Sequence, residues 1–282
     1  MTPTKSYRKN TPARQFSKRW FARKFGCEVH DYGVHEIKTT ISSHLNGLNG
    51  LNRTILDGAC GYGNSFLEKD VLGDVRTIGI DVDSTVRSKN KLHDEYIIQD
   101  LHKPLPFDDE LSAVVSMFTW EHLENPAKVL GNFRRGLRDE GLVCIVAPQK
   151  YYYISLIEML LPQAVKNHAW RVARSGRTHM PYPAFYQYCT RRSIHSLAQE
   201  SDFDVVHFST HTLAPIWFLR APPLFMAACG YMACLNRFRF LEGMRSTFLI
   251  ILKKKESSPH PTLTREATID QEKCQHDLDC WC

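Results

Sequence analysis

The sequence predicts a doubly wound α/β fold, and three observations predict it. Short apolar runs recur through the first half of the chain, and helix-length segments lie between most of them. Three of the runs end in an aspartate: Asp57, Asp81 and Asp100. Buried runs alternating with helices indicate parallel strands joined by crossovers. The 282 residues suffice for one large domain or two small ones. With 43% hydrophobic and 23% charged residues the chain has an ordinary globular composition. A collagen-like, wholly disordered or polytopic membrane protein is excluded on that ground. No internal repeat recurs at a period of about 20–50 residues.

The elements follow in order. Thr11-Pro12 opens a helix with proline at its first position, and Gly26 stops it. A second helix over 34–46 ends in the Gly/Asn-rich loop Asn46-Gly47-Leu48-Asn49-Gly50. Strands are predicted at Thr54–Leu56, Thr77–Ile80, Tyr96–Gln99, Ala113–Met117 and Leu142–Val146. Asn125-Pro126 is the cap and first turn of a helix running to Arg135. After Pro148 come an aromatic-rich helix from Tyr151 to Leu161, a His/Arg/Tyr-rich loop, and a helix from Thr190 to Glu200. Two last strands are expected at Asp204–Phe208 and Thr247–Leu252. Ala221–Asn236 is uncharged between Arg220 and Arg237, but Pro222-Pro223 breaks its start. What remains is short of the ~20 residues a membrane span needs, so a buried or interfacial helix is expected. The polar, Pro-containing tail from Glu256 is expected to be disordered.

Charge is unevenly placed. The net charge is +6, yet residues 1–27 hold eight basic groups (Lys5, Arg8, Lys9, Arg14, Lys18, Arg19, Arg23, Lys24) and no acid, so the remainder is slightly acidic. A nucleic-acid-binding core would spread positive charge over its own surface, so no nucleic-acid partner is expected. Beside Phe16, Trp20 and Phe21 the basic start resembles an amphipathic helix for an anionic surface. Its composition also fits an organellar transit peptide, and the same aromatics suit a helix that closes over the domain behind it. No apolar stretch follows it, so no secretory signal is expected. Nine scattered cysteines point to a reducing compartment, with Cys60 and Cys144 as small hydrophobes. A cytoplasmic protein, with peripheral membrane association as an option, is the expectation. Cys274, His276, Cys280 and Cys282 lack paired ligand spacing, so no metal is expected.

The chemistry concentrates in Ile55-Leu56-Asp57-Gly58-Ala59-Cys60-Gly61-Tyr62-Gly63-Asn64. A strand ends there in a tight Gly-rich turn, and glycine lets the backbone approach a ligand closely. The dinucleotide fingerprint needs a further glycine where Phe66 stands, and the Gly-Lys-Ser/Thr of a phosphate loop is absent. Asp81, ending the next strand, is placed to accept both hydroxyls of a ribose. The ligand therefore reads as a nucleoside without a phosphate clamp.

At this point the sequence resembles the class I S-adenosylmethionine-dependent methyltransferases, near the small-molecule type 11 group that includes quinone and sterol methyltransferases. Asp57-Gly58-Ala59-Cys60-Gly61-Tyr62-Gly63 is similar to that family's D-x-G-x-G-x-G, with Ala59 at the first glycine. Gly79-Ile80-Asp81 is similar to its ribose-binding acid motif, and Gln99-Asp100-Leu101 with Leu105-Pro106-Phe107-Asp108 to its third-strand segment. Glu121-His122-Leu123 and Leu137-Arg138-Asp139-Glu140-Gly141 match later landmarks, while Ser112 replaces an acid usual before the fourth strand. The likeness spans about residues 50–150. It implies a Rossmann-like, mostly parallel seven-stranded sheet with the last strand antiparallel and helical cap and insertions. It also divides the chain into a basic segment (1–33), a methyltransferase domain (34–254, with a cap near 151–189 and an apolar insertion near 213–244) and a tail (255–282).

The implied cofactor is S-adenosyl-L-methionine. By resemblance, Gly61 and Gly63 leave room for its methionine moiety, Asp81 holds the ribose, and Asp100 with Leu101 frames the adenine, while Asp57, Ala59, Val82 and Phe118 are further cofactor-binding residues. His122 follows the fourth strand and is the candidate base for a hydroxyl acceptor; its bland alternative is a cap on the next turn. His168, His179, Tyr182 and Tyr186 are candidates to line the acceptor pocket. Tyr151-Tyr152-Tyr153 and the apolar run favour a small, hydrophobic or lipid-like acceptor methylated at oxygen or carbon. Protein or RNA methylation is the weaker reading, because Met117-Phe118-Thr119-Trp120 stands where an Asn/Asp-Pro-Pro-Tyr amine clamp would be. A non-catalytic cofactor-binding module is a third reading.

Overall fold

The apolar runs pair into one seven-stranded sheet in a computed structural model that describes residues 11–48, 53–61, 72–73, 75–162, 165 and 182–256. Its strands are β1 (Thr54–Gly58), β2 (Arg76–Asp81), β3 (Glu95–Ile98), β4 (Leu111–Met117), β5 (Leu137–Pro148), β6 (Phe203–His211) and β7 (Thr247–Lys254). Their order is β3-β2-β1-β4-β5-β7-β6, and β7 runs antiparallel to both its neighbours while the other pairings are parallel. The order reverses between β1 and β4. Ligands of open α/β sheets bind beyond the strand ends at such a reversal.

Among the described residues the helices are α1 (Pro12–Phe25), α2 (Val34–Asn46), α3 (Val86–Lys89), α4 (Pro126–Gly136), α5 (Tyr153–Leu160), α6 (Arg191–Glu200) and α7 (Pro222–Arg237). Their ends have local causes. The Thr11 side chain accepts from the Arg14 amide at the start of α1, and Gly26 closes it in the left-handed conformation. Asn125 caps α4, and Thr190 with Ser193 forms a reciprocal capping box on α6.

The sheet is buried on both faces, which is why its strands read as continuous apolar runs. Leu56, Ile78, Val114, Val143 and Ile250 pack on one side with Phe133 of α4 and Leu197 of α6. Ile55, Ala113, Cys144 and Ile251 pack on the other with Ile37, Ile41 and Leu45 of α2. A third cluster joins Phe21 of α1 to Phe225, Cys229 and Met232 of α7, so α1 and the residues that follow it pack on the α7 region.

Two boundaries differ from the sequence reading by three residues or more, the others by one or two. β5 begins at Leu137, because Leu137 pairs with Leu111 before a register shift, and the charged residues up to Glu140 (φ 62°) form the irregular stretch. β6 runs on to His211, which pairs with Thr247 of β7 beyond an irregularity at Val206. Among the described residues Cys27, Cys60, Cys144, Cys189, Cys229 and Cys234 are free thiols. No described helix is long and apolar enough to cross a membrane.

Candidate active site

The ends of β1, β2, β3 and β4 converge on a cavity of about 800 Å³. Of the sequence-predicted site residues, Asp57, Ala59, Gly61, Asp81, Val82, Asp100, Leu101, Phe118 and His122 all line it. Gly63, His168 and His179 lie outside the described residues. Tyr182 lines the cavity with Pro183 and Phe185. Tyr186 does not belong to the lining: it is buried in the core, and its hydroxyl donates to Glu158 Oε2 at 2.6 Å. Its large apolar ring next to the chain's covering segment looks alike in sequence for either role.

The Gly-rich turn is tied down on both sides. Gly61 (φ 49°) donates its amide to Asp81 Oδ2 at 2.8 Å, and its carbonyl accepts from Asn90 Nδ2 at 3.1 Å. Asp81 Oδ1 accepts the Asp83 amide at 2.9 Å, so both oxygens are oriented by backbone while each keeps a lone pair for a ligand. Ala59 at φ 61° and Phe118 at φ 51° hold left-handed backbone with ordinary side chains. Such residues cost about 1–3 kcal/mol each and tend to cluster at functional sites. The first glycine of the family pattern would meet the same backbone demand without that cost.

Two histidines missed by sequence reasoning organise the carboxylates. His102 Nδ1 lies 2.9 Å from Asp100 Oδ1, the His102 amide donates to the same oxygen at 2.9 Å, and its Nε2 accepts the Asn125 amide at 3.3 Å. An Nε2 that accepts requires the proton on Nδ1, so the ring donates to Asp100. Chiefly through the His102 amide, Asp100 is held below the usual carboxylate range, and its Oδ2 is left to a ligand. Asp57 is buried, with His93 Nε2 3.1 Å from its Oδ2 but without hydrogen-bond geometry. Burial pushes the Asp57 carboxyl up, and the nearby His93 partly offsets this. A Cβ on Gly79 would lie 2.7 Å from the His93 ring and 2.8 Å from Cys60 Sγ, so these groups leave no space beneath the turn. Burial raises the Cys60 thiol to about 12, which removes it as a nucleophile at neutral pH.

His122 ends a single 3₁₀ turn after β4. Its Nδ1 lies 2.9 Å from the Pro183 carbonyl, a contact that requires the proton on Nδ1 and leaves Nε2 as the acceptor. The contact ties this turn across to the segment Tyr182–Tyr186. The neighbouring Glu121 is buried, its Oε2 has no hydrogen-bond partner, and Oε1 lies 3.8 Å from His122 Nε2. Burial pushes the Glu121 carboxyl up to about 8, so it is neutral at pH 7.

That position makes stability depend on pH. Below the ordinary glutamate pKa both folded and unfolded chains hold the proton. Between there and about 8 only the folded chain keeps it, so stability falls as pH rises, by at most about 1.4 kcal/mol per pH unit. Glu121→Gln titrates in neither state. It is expected to melt above the wild type at pH 8, with the gap closing toward pH 5. A gap that stays constant with pH would mean that Glu121 is already ionised in the folded protein.

These residues fit an adenosyl ligand. Carboxylates with oriented oxygens stand at two successive strand ends, and Val82 and Phe118 leave exposed apolar surface on the cavity wall for a planar ring to cover. No group of described residues is arranged to hold a metal ion.

A family model described as a methyltransferase domain matches residues 34–208, more than half of the chain, and the chain belongs to that family. It is a class I S-adenosylmethionine-dependent methyltransferase, with S-adenosylmethionine as its cofactor. Among solved structures it is similar to geranyl diphosphate C-methyltransferase from Streptomyces coelicolor A3(2), in complex with Mg2+, geranyl diphosphate and S-adenosyl-L-homocysteine. That match has 14% identity and a TM-score of 0.50, and it covers 86% of this chain and 98% of that one. It is also similar to an S-adenosylmethionine-dependent methyltransferase from Mesorhizobium loti (14% identity, TM-score 0.49, 77% of this chain and 98% of that one). A third similarity is to a chain of the complex between the Haloferax volcanii Trm112 methyltransferase activator and a methyltransferase (17% identity, TM-score 0.48, 88% and 100%). At these identities the likeness shows the fold alone. No curated protein matches the sequence significantly.

Proposed function

We propose that this methyltransferase acts on a small, hydrophobic or lipid-like acceptor, methylating oxygen or carbon. The observation that carries the reading is the composition of the cavity beyond the two strand-end carboxylates. Met117, Phe118, Leu123, Tyr182, Pro183 and Phe185 supply apolar wall there, and His122 supplies a proton-accepting Nε2. At about 800 Å³ the space lies in the upper part of the ~300–1,000 Å³ range of ligand pockets, room for a cofactor and a second small molecule together.

The roles that the family resemblance implies are compatible with this geometry. Asp81 accepts the ribose hydroxyls, Asp100 Oδ2 accepts from the adenine amine, and the Asp57–Gly61 turn admits the methionine moiety, with Gly63 taking the part that the resemblance gives it. The bound cofactor supplies an electrophilic methyl group on a sulfonium. The chain's own contribution is to hold the acceptor in line with it and to exclude water, since positioning alone carries much of such a displacement. Where the acceptor is a hydroxyl, His122 Nε2 takes its proton. A location among cytoplasmic proteins fits the six free thiols among the described residues.

The test is incubation of lipid and metabolite extracts with isotopically labelled S-adenosylmethionine and mass spectrometry of the products. A labelled apolar small molecule is expected. Label recovered only in protein or RNA would overturn the acceptor assignment, and no transfer to any fraction, with cofactor still bound, would point to a binding module.

A further inference from the structure

We infer that the helical layer made by α1, α7 and the segments flanking α7 is a docking surface for an anionic lipid bilayer. On α7 the residues Phe225, Cys229, Met232 and Leu235 recur at helical spacing and are buried. They face α1, where Trp20 and Phe21 meet the Phe225 ring at 6.2 and 5.9 Å. The opposite face of α7 has no charged residue before Arg237, and Leu224, Met226, Ala227, Gly230 and Ala233 on it are exposed. Large apolar side chains stand out beside it, Trp217 at 63% and Phe240 at 82% exposure, with Phe16 on α1 and Phe238 also exposed.

Charge selects the occupant. Over residues 12–27 and 213–241 the chain carries Arg14, Lys18, Arg19, Arg23, Lys24, Arg220, Arg237 and Arg239 and no aspartate or glutamate. An apolar helix face rimmed by cations, with tryptophan and phenylalanine protruding, is the chemistry of a helix lying in an anionic membrane interface. Long basic side chains there keep their charge at the headgroups while their stems cover apolar surface. The layer is also joined to the active site. Tyr153 of α5 stacks on Phe218 and meets Tyr231 of α7 edge-on, and Glu158 of the same helix accepts the Tyr186 hydroxyl beside the cavity-lining Phe185. The inference does not rest on the acceptor reading, because lipid binding is measured without cofactor or acceptor.

The experiment is co-sedimentation of the full chain with phosphatidylcholine vesicles, with and without phosphatidylserine, at low and high salt. Binding is expected only with phosphatidylserine, and it should weaken as salt rises. Arg19→Gln, Arg23→Gln and Lys24→Gln together remove three exposed charges at about fivefold each, so partitioning should fall on the order of a hundredfold. Trp217→Ser with Phe240→Ser should lower it about tenfold or more. Circular dichroism and calorimetric S-adenosylmethionine binding, both expected to be unchanged, show that the variants are folded. Equal binding to neutral vesicles, no binding to anionic ones, or folded variants that sediment like wild type would overturn the inference. So would a dimer that Phe240→Ser dissociates in the absence of vesicle binding, since a second copy would then cover this face.

Discussion

Replacing Asp81 by alanine is expected to weaken S-adenosylmethionine binding by between about tenfold and a thousandfold, measured by calorimetry. A hydrogen bond to a charged acceptor contributes roughly 1.5–3 kcal/mol, and a ribose diol offers two donors. The carboxylate does more than receive them. Its Oδ2 holds the Gly61 amide at 2.8 Å and its Oδ1 the Asp83 amide at 2.9 Å, so the alanine variant also releases the turn that the methionine moiety would approach. The demethylated product, which keeps the ribose, should lose affinity in parallel. Asp81→Asn separates the two contributions, because an amide has one acceptor oxygen in place of two and turns a donor toward one of these backbone amides. It should fall between wild type and Asp81→Ala. Unchanged affinity in a folded Asp81→Ala would remove Asp81 from the ribose site.

The position of Asp81 was legible because local signals determine it. A charged group is costly inside a buried strand, so an acid closing an apolar run marks where the strand runs out: Asp57 is the last residue but one of β1, Asp81 the last of β2, and Asp100 follows β3. The same logic placed α1 from Thr11-Pro12 and Gly26, and α4 from Asn125-Pro126, where caps satisfy the helix's first amides. What could not be read depends on contacts between distant residues. His93 reaches Asp57 across 36 positions of chain, and nothing near it in sequence distinguishes a buried imidazole from a surface one. Glu121 looks like a solvated acid beside His122 until the packing of α5 and the covering segment buries it. His102 is an intermediate case. Its spacing from Asp100 is that of a side chain turning back on its own loop, a signal present in the sequence although easily taken for a turn residue. The strand boundary at Leu137 escaped for the opposite reason: four polar or glycine residues imitate a turn, and only pairing with Leu111 keeps them in the ladder.

Loss of the base at His122 should have the larger kinetic effect if the acceptor is a hydroxyl. As the methyl group arrives, the oxygen–carbon bond forms, the carbon–sulfur bond breaks and the hydroxyl proton must leave. Of the described histidines lining the cavity, His102 already spends its Nε2 on the Asn125 amide, which leaves His122 Nε2 to receive it. A general base contributes about 10²–10⁴-fold, so His122→Ala should lower kcat by that factor on the acceptor identified by labelling, with cofactor affinity kept. Alanine also breaks the tie to the Pro183 carbonyl, which leaves two explanations for a slow enzyme. His122→Asn resolves them: its side-chain amide can still donate to Pro183 but takes no proton at neutral pH. A variant as slow as His122→Ala assigns the loss to proton transfer, whereas one within a few-fold of wild type makes His122 a staple for the covering segment. The pH profile gives an independent reading. The rate should fall on acidification, because an imidazolium accepts nothing. Above about 8 the ionised Glu121, 3.8 Å from Nε2, should make the imidazole a stronger base, so Glu121→Gln should alter the alkaline limb alone. If neither limb responds to either substitution, the acceptor is carbon or nitrogen that needs no base, and the work of this site is to hold two molecules in line.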